Sequence, residues 1–353
     1  MRLIKIVILI LLVFGCKKKK VVETNTDNVT PLKNGMIVLC EGLFQQNNAS
    51  LSWIDLSTSA IDNQFFTTKT GRLLGDTGND MESYGSKIYV VVNVSSTIEV
   101  LDKSTGTSIK QISMMNNGIS KQPRSIAFYG SNAFVSCFDG YVDVIDTSSL
   151  EVVKRIKVGL NPEGLTVSNS KLYVSNSGGL NSPKMDSTVS VINLMNLAEY
   201  KKIKVGLNPG AILTDLEGDV YVIARGNYST ISSKMVKINS LNDEVSAIFS
   251  QDISGIEKME SNLLIIYKSS SNSASKVGVF DVINEVISIP ELINGANFTT
   301  LYGLQYRSSH QKIYCLDAMN YTNTGYVKVF SKSGSLENSY HVGLNPSKII
   351  FYE

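Results

Sequence analysis

Apolar and polar residues alternate in short runs throughout residues 36–353, and no long stretch of this region shows the 3.6-residue period of a helix. Residues 97–102 (Thr-Ile-Glu-Val-Leu-Asp), 142–146 (Val-Asp-Val-Ile-Asp) and 189–193 (Val-Ser-Val-Ile-Asn) are typical. Such runs are rich in β-branched residues and end in Asp, Asn or Ser, whose side chains can accept hydrogen bonds from the backbone of the next turn. The pattern predicts short antiparallel strands joined by turns.

The strand pattern repeats along the chain. The pentapeptide Val-Gly-Leu-Asn-Pro occurs at residues 158–162, 205–209 and 342–346, and Gln122-Pro123 is a degenerate fourth copy. The distance from Pro123 to Pro346 equals five units of about 45 residues, so residues 36–353 hold about seven units. Four short strands in each unit predict an all-β fold, a seven-bladed β-propeller of four-stranded antiparallel blades.

The two ends of the repeat region are complementary. Residue 36 begins directly at a second-strand phrase, so the first blade lacks its innermost strand. Residues 346–351 (Pro-Ser-Lys-Ile-Ile-Phe) match the first-strand phrase at residues 162–167 and have no unit after them. We therefore predict that the C-terminal strand completes blade 1, which closes the ring and removes open strand edges.

The best-preserved phrases lie between residues 161 and 193. They read Asn-Pro-Glu-Gly-Leu, Leu-Tyr-Val-Ser-Asn and Val-Ser-Val-Ile-Asn. These phrases resemble the YncE-like seven-bladed propellers, and the resemblance covers nearly all of residues 36–353. The chain differs from WD40 propellers because Trp53 is its only tryptophan and no Gly-His or Trp-Asp pair marks the blades.

The N-terminus has the pattern of an export signal. Arg2 and Lys5 precede an apolar run at residues 6–14, which is too short for a stable membrane-spanning helix and is followed by Gly15 and Cys16. With Val13 and Gly15 before the cysteine, it resembles a bacterial lipoprotein signal. This implies a signal peptide over residues 1–15, lipidation of Cys16, and membrane attachment through acyl chains. A plain secretory signal or a membrane-anchoring helix are the alternatives.

Residues 16–34 have few apolar residues and no periodicity, so we interpret them as the lipidated cysteine and a flexible tether before a propeller at residues 35–353. The lysines at residues 17–20 suggest either a solvated spacer or contact with anionic lipid. Surface lipoproteins of the Bacteroidetes type often carry acidic residues at this place. This chain has lysines there instead, so the expected location is the outer membrane, with both the cell surface and the periplasmic face left open.

Composition agrees with a globular domain, because 43% of the residues are hydrophobic and 18% are charged. Seven of the 33 basic residues and two of the 31 acidic residues precede residue 36, which leaves 26 against 29 and a net charge near −3 for the repeat region. A nearly neutral domain gives no electrostatic reason to expect binding of nucleic acid.

The repeat region offers little catalytic chemistry. His310 and His341 have no neighbouring Cys or His at metal-ligand spacing, and no Ser-His-Asp arrangement is indicated. Lactonase-type propellers suggest a His, Arg and Glu cluster or a metal-binding carboxylate set, and neither can be assembled here. We expect no catalytic residues, no metal and no cofactor, and hence no enzyme. The repeat region holds three cysteines, Cys40, Cys137 and Cys315. This odd number favours buried free thiols over a bridge between Cys40 and Cys315.

A propeller has one face on which two sets of loops meet around the axis: those from a fourth strand to the next first strand, and those joining second and third strands. These loops carry aromatic rings beside amide, guanidinium and carboxylate groups, the mixture expected of a ligand site. The candidate ligand-binding residues are Glu41, Phe44, Asn79, Asn93, Arg124, Phe138, Asn176, Arg225, Tyr228, Tyr302 and Tyr321.

The family resemblance suggests one class of ligand. YncE-like lipoproteins of Bacteroidetes include BtuG-like cobalamin-binding surface proteins, which hold the corrinoid on one propeller face. The implied function is a monomeric, lipid-anchored protein that captures cobalamin or a related corrinoid for a TonB-dependent outer-membrane transporter. Aromatic residues would contact the corrinoid, and Asn79, Asn93 and Asn176 would bond its amides. The alternative is a protein-interaction scaffold at the outer membrane with no small-molecule ligand.

Overall fold

A computed structural model describes residues 30–270 and 273–353. The predicted signal peptide, Cys16 and all but the last residues of the predicted tether lie outside the described residues. Pro31–Glu353 form one compact unit. Within the described ranges, no helix has the length and apolar character needed to cross a membrane.

The described strands form the seven predicted four-stranded antiparallel blades. Blade 1 contains β1 (Gly35–Cys40), β2 (Ser50–Asp55) and β3 (Ile61–Asp62), and blade 2 contains β4 (Gly78–Tyr84), β5 (Lys87–Val92), β6 (Thr97–Asp102) and β7 (Ser108–Ser113). A small hairpin of β8 (Met115–Asn116) and β9 (Ile119–Ser120) follows. Blade 3 contains β10 (Pro123–Tyr129), β11 (Asn132–Cys137), β12 (Tyr141–Asp146) and β13 (Glu151–Lys157).

Blades 4 to 7 continue the same order. Blade 4 contains β14 (Pro162–Ser168), β15 (Lys171–Asn176), β16 (Thr188–Asn193) and β17 (Ala198–Lys204), and blade 5 contains β18 (Pro209–Thr214), β19 (Val220–Ala224), β20 (Lys234–Asn239) and β21 (Glu244–Phe249). Blade 6 contains β22 (Asp252–Met259), β23 (Asn262–Lys268), β24 (Lys276–Asp281) and β25 (Val286–Ile293). Blade 7 contains β26 (Leu301–Arg307), β27 (Lys312–Asp317), β28 (Thr324–Ser331) and β29 (Leu336–Leu344). The final strand is β30 (Pro346–Tyr352), and single 3₁₀ turns lie at Gly179–Asn181, Gly295–Asn297 and Ser308–His310.

Strand β30 closes the ring, as predicted. It pairs antiparallel with β1, so that blade 1 has the order β3-β2-β1-β30. Blade 7 also holds this strand: the Gln305 side chain donates to the carbonyl of Ile349 at 2.8 Å and accepts from its N–H at 2.9 Å. The innermost strands contact one another in the cyclic order β30, β4, β10, β14, β18, β22 and β26. The chain therefore surrounds a central axis.

The repeated Asn-Pro pair has a structural reason. Asn161, Asn208 and Asn345 have φ values of 42°, 57° and 55°, a left-handed conformation that asparagine tolerates better than most residues. Each precedes the proline that begins an innermost strand. The Asn161 amide also donates to the carbonyl of Phe138 at 2.9 Å. The motif thus turns the chain from one blade into the next and ties that turn to an axial loop.

Blade 1 departs from the regular pattern at its outer edge. Its fourth strand, β3, has only two residues and is followed by helix α1 (Phe65–Thr70). Phe65 and Phe66 are buried, and the rings of Trp53 and Phe65 have centroids 6.0 Å apart. Burial of Phe65 and Phe66 favours a short helix packed on β2 over a longer outer strand.

The cores of the propeller lie between adjacent blades. Tyr89 and Val91 of blade 2, for example, pack with Ala133 and Val135 of blade 3. The three predicted thiols belong to this interior and are buried and unbridged, and they are Cys40, Cys137 and Cys315. Burial raises the pKa of Cys40 to about 12, so this thiol is unreactive in the folded protein.

Candidate functional site

Five residues at the ends of strands meet at the mouth of the axis: four are the second residues of innermost strands, and Glu41 directly follows β1. They come from blades 1, 2, 3, 4 and 7, and we define the mouth as Glu41, Asn79, Arg124, Glu163 and Tyr302. Four of these are predicted site residues, and the fifth, Glu163, occupies the equivalent position at the start of β14.

Arg124 is the centre of the mouth. Its guanidinium donates to Oδ1 of Asn79 and, at 2.6 Å, to Oε1 of Glu163, while the Asn79 amide donates to its carbonyl at 3.2 Å. The guanidinium also lies over the ring of Phe138, with Cζ 4.6 Å from the centroid. Side chains from three blades are therefore joined by one cation.

Glu41 and Tyr302 form the other half of the mouth. The Tyr302 hydroxyl donates to Oε2 of Glu41 at 2.9 Å. Burial raises the pKa of Glu41 to about 7, although the hydrogen bond from Tyr302 and the positive charge of Arg124 both lower it. Glu41 thus carries only part of a negative charge at neutral pH.

An open groove of about 1340 Å³ lies beside the mouth on the same face. Its walls are the loop between β19 and β20, the β21–β22 connection, the loop between β23 and β24, the β25–β26 connection and Tyr321 of blade 7. Serine and threonine are its most frequent lining residues. Of the described lining residues, only Arg225, Asp252 and Lys268 are charged.

Two tyrosines in equivalent turns line this groove. Tyr228 and Tyr321 are 73% and 49% exposed and have φ values of 58° and 66°. Each follows an asparagine whose Oδ1 fixes the turn: Asn227 accepts from Ile231 N–H at 2.8 Å, and Asn320 accepts from Asn323 N–H at 2.9 Å. A left-handed conformation costs a bulky residue about 1–3 kcal/mol, and strain of this kind is concentrated at binding sites.

The remaining predicted residues have different surroundings. Asn93 is buried and donates to the carbonyl of Pro123 at 2.9 Å. Asn176 is fully buried: it accepts from Gly159 N–H at 3.1 Å and donates to Thr188 and Ser190. These two amides brace the blades and are not presented to the axial face. Phe44 is 67% exposed but does not line the groove.

Below the mouth, charged side chains of three innermost strands come together. Nζ of Lys348 lies 3.2 Å from Oδ1 of Asp80 and 3.8 Å from Oε1 of Glu82. Burial raises the pKa of Glu257 to about 7, an effect that the positive charge of Lys348 opposes. The pKa of Lys348 is raised in turn, chiefly by the negative charge of Asp80. This group was not predicted, because nothing in the local sequence indicates that these strands face one another.

The histidines lie apart from the mouth and the groove. Nδ1 of His310 is 2.9 Å from the Ser309 hydroxyl, and Nε2 of His341 is 2.6 Å from the Thr324 hydroxyl. Among residues 30–270 and 273–353, no group of three or more His, Cys, Asp or Glu is arranged to hold a metal ion. Four predicted site residues line the groove, namely Arg225, Tyr228, Tyr302 and Tyr321. The serine-rich loops of blades 5 and 6 that form much of its lining were not predicted, although their composition was available as a signal.

Comparison with known proteins supports the architecture. No family model matches the chain, and no curated protein sequence matches it. Hydrazine synthase of Kuenenia stuttgartiensis is similar in structure, with a TM-score of 0.57 and 15% identity over 76% of this chain and 88% of the other. A quinoprotein alcohol dehydrogenase-like protein from Bacteroides thetaiotaomicron gives a TM-score of 0.65 and 13% identity over 92% of this chain and 79% of the other. At these identities the similarity establishes that the chain has a β-propeller fold.

Proposed function

We propose that this protein is a binding protein that captures a large polar ligand on the axial face of the propeller, without chemical turnover. The groove beside the mouth is the observation that carries this proposal. Its volume of about 1340 Å³ exceeds the roughly 300–1,000 Å³ of pockets for drug-sized molecules. Its position also supports the proposal, because loops of three blades contribute to it while the strands beneath provide a rigid support.

The exposed tyrosines add a second line of support. Tyr228 and Tyr321 lie in asparagine-fixed turns and are 73% and 49% exposed, so their rings remain available on the groove; the Tyr321 ring also contacts that of Tyr302 edge-to-face. Aromatic side chains provide large contact areas at a small cost in conformational entropy, while hydroxyl groups set the orientation of a ligand. This combination suits a ligand with both a flat apolar surface and many polar groups.

A corrinoid such as cobalamin is the ligand that we propose to test first. The proposal comes from the resemblance to YncE-like lipoproteins, and a large, amide-rich macrocycle agrees with the size and polarity of the groove. The attached role is delivery to a TonB-dependent transporter by a lipid-anchored protein of the outer membrane. We expect Tyr228, Tyr302 and Tyr321 to contact such a ligand, and the buried amides of Asn93 and Asn176 to remain in their intramolecular hydrogen bonds.

Calorimetric titration of the purified protein with cyanocobalamin tests this function. We expect saturable heat in the wild type and at least tenfold weaker binding after Tyr228→Ala and Tyr321→Ala together. Phe44→Ala is the matched control, because this exposed aromatic lies outside the groove lining. Absence of heat at about 100 μM cyanocobalamin would exclude a corrinoid as the ligand. A dissociation constant above this concentration corresponds to a binding free energy of less than about 5.5 kcal/mol.

The second candidate is a protein-interaction scaffold that uses the same face. Exposed aromatic residues such as Tyr228 and Phe44 favour this function, since tyrosine and phenylalanine are enriched in protein interfaces. A scaffold would bind an envelope protein and give no heat with small molecules. Affinity purification from membrane extracts, compared between the wild type and the Phe44→Ala variant, distinguishes the two functions because only the scaffold requires this residue.

A further inference from the structure

The chemistry of the groove narrows the class of ligand. Several lining hydroxyl groups form no hydrogen bond within the described part of the protein, and they belong to Ser229, Ser232, Ser250, Thr299 and Thr300. A hydroxyl can both donate and accept, so this surface suits a ligand rich in hydroxyl or amide groups. Such groups do not by themselves select for charge. Any preference for a charged group must come from the few charged lining residues.

Arg225 is the cation placed where the mouth meets the groove. It lines the groove, and one of its terminal nitrogens is 3.7 Å from Oε1 of Glu163, beyond hydrogen-bond distance. That carboxylate oxygen is already bound by Arg124 at 2.6 Å. Within residues 30–270 and 273–353, the guanidinium of Arg225 donates no hydrogen bond. Its side chain is 33% exposed, and its donors are not used in hydrogen bonds by the described residues.

Gly210 makes room for this guanidinium. A Cβ at position 210 would lie 2.2 Å from Cζ of Arg225 and 2.3 Å from one of its terminal nitrogens. The equivalent positions of other innermost strands hold larger residues, such as Arg124 of β10 and Glu163 of β14. The missing side chain at Gly210 thus allows Arg225 to lie close against β18 at the edge of the groove.

The surrounding charges leave Arg225 only partly compensated. Asp252, the one acidic residue of the described groove lining, accepts a 2.5 Å hydrogen bond from the Ser233 hydroxyl. Glu41, in the mouth, has a pKa raised to about 7 by burial and is thus only partly ionised at neutral pH. An anionic group of a ligand would therefore meet an available, planar set of N–H donors, the geometry that carboxylate and phosphate oxygens prefer.

We propose that the ligand of this groove is a large hydroxyl- or amide-rich molecule that carries one phosphate or carboxylate group, and that Arg225 binds this anionic group. This inference rests on the proposed binding function and adds a charge requirement to it. Tyr228 and Tyr321 contact the uncharged body of the ligand, and Arg225 fixes its orientation. The role of Gly210 is to position the guanidinium.

The first experiment measures the anion site without the full ligand. The Nε–H signals of protein labelled with ¹⁵N-arginine are followed by NMR during titration with inorganic phosphate and, separately, with acetate, at constant ionic strength kept with sodium chloride. We expect a saturable shift of the Arg225 signal, assigned from its loss in Arg225→Gln. Tighter binding of phosphate would identify the anionic group of the ligand as a phosphate, and tighter binding of acetate would identify it as a carboxylate. A shift that chloride alone reproduces would overturn the inference.

Two further variants separate the site from general electrostatics. Gly210→Ala keeps the charge but displaces the guanidinium, so we expect at least fivefold weaker anion binding at Arg225. Lys157→Met removes one positive charge from an exposed position outside the groove lining and should leave binding unchanged. Equal weakening by Lys157→Met and Gly210→Ala would refute a specific site.

The second experiment uses cyanocobalamin, which carries a phosphodiester, and dicyanocobinamide, which lacks it. We expect Arg225→Gln to weaken the binding of cyanocobalamin at least tenfold, as loss of a charged hydrogen bond does, and to leave the binding of dicyanocobinamide unchanged. If Arg225→Gln weakens the binding of both corrinoids equally, or of neither, Arg225 does not bind the phosphate, although the proposed binding function is still supported. If neither corrinoid binds but phosphate shifts Arg225, the corrinoid proposal fails and the anion site remains.

Discussion

Removal of the last strand should unfold the propeller. Deleting residues 346–353 takes away β30, which is the innermost strand of blade 1 and forms a ladder along the whole of β1. Three of its large side chains are at least nine-tenths buried, and they are Ile349, Ile350 and Tyr352. The deletion also exposes the inner edge of β1 and leaves the Gln305 side chain without its two backbone partners.

The expected loss is comparable to the stability of a whole domain. Burial of a large apolar side chain contributes about 1.5–3 kcal/mol, so the three side chains contribute about 5–9 kcal/mol before the strand ladder is counted. The free energy of unfolding of a natural domain is about 5–15 kcal/mol. The truncated chain should therefore be unfolded or partly folded at 25 °C.

Thermal unfolding by circular dichroism and limited proteolysis measure this effect. A matched control deletes only Glu353, which follows β30: it keeps the strand and loses only the 2.9 Å ion pair with Arg307 and the hydrogen bond from Ser309, so it should unfold much closer to the wild-type temperature than the strand deletion. A synthetic peptide of residues 346–353 added to the truncated chain should partly restore protection. A truncated protein that melts within 2 °C of the wild type would refute the closure mechanism.

Three further predictions concern ionisable groups. Because burial raises the pKa of Glu257 from 4.5 to about 7, the folded state binds a proton more tightly than the unfolded state, and stability falls as pH rises from about 4.5 to 7. Glu257→Gln should thus increase the free energy of unfolding at pH 8 by about 1–2 kcal/mol and have little effect at pH 4, as measured with urea; an equal effect at both values would contradict this. The hydrogen bond from Tyr302 lowers the pKa of Glu41, so Tyr302→Phe should raise that pKa above about 7, as measured by carboxyl NMR. An unchanged pKa of Glu41 would argue against this hydrogen bond. In a Cys16→Ser chain, a thiol reagent should react only as fast as the protein unfolds, and rapid reaction in the native state would disprove burial of Cys40, Cys137 and Cys315.

The fold was predictable because its information is local and repeated. Strand phrases such as residues 142–146 alternate apolar and polar residues with the two-residue period of a strand, and their terminal Asp or Asn accepts turn N–H groups, as Asp146 does from Ser149 at 2.8 Å. The unpaired first-strand phrase at the C-terminus was enough to predict closure. Helix α1 was missed, since six residues are too few to show a helical period and its stability depends on packing of Phe65 and Phe66.

The candidate site was only partly predictable. The structure places Arg225 and Tyr321 in loops, whereas Arg124 and Tyr302 are the second residues of β10 and β26. It also brings Tyr302 and Tyr321 together, with ring centroids 5.8 Å apart. The loop position of Asn176 was equally suitable, yet its side chain is fully buried among Gly159, Thr188 and Ser190. Loop membership does not determine side-chain direction.

By itself the sequence determined seven units, the strand order within each and the strand that closes the ring, because alternation and turn chemistry act between residues close in the chain. Only the tertiary structure decided which side chains from different blades meet. The Arg124–Glu163 pair, the space that Gly210 leaves for Arg225, the two Asn-Tyr turns on one groove and the carboxylates around Lys348 all join distant segments. Their proximity follows from the placement of blades around the axis, which no local pattern encodes.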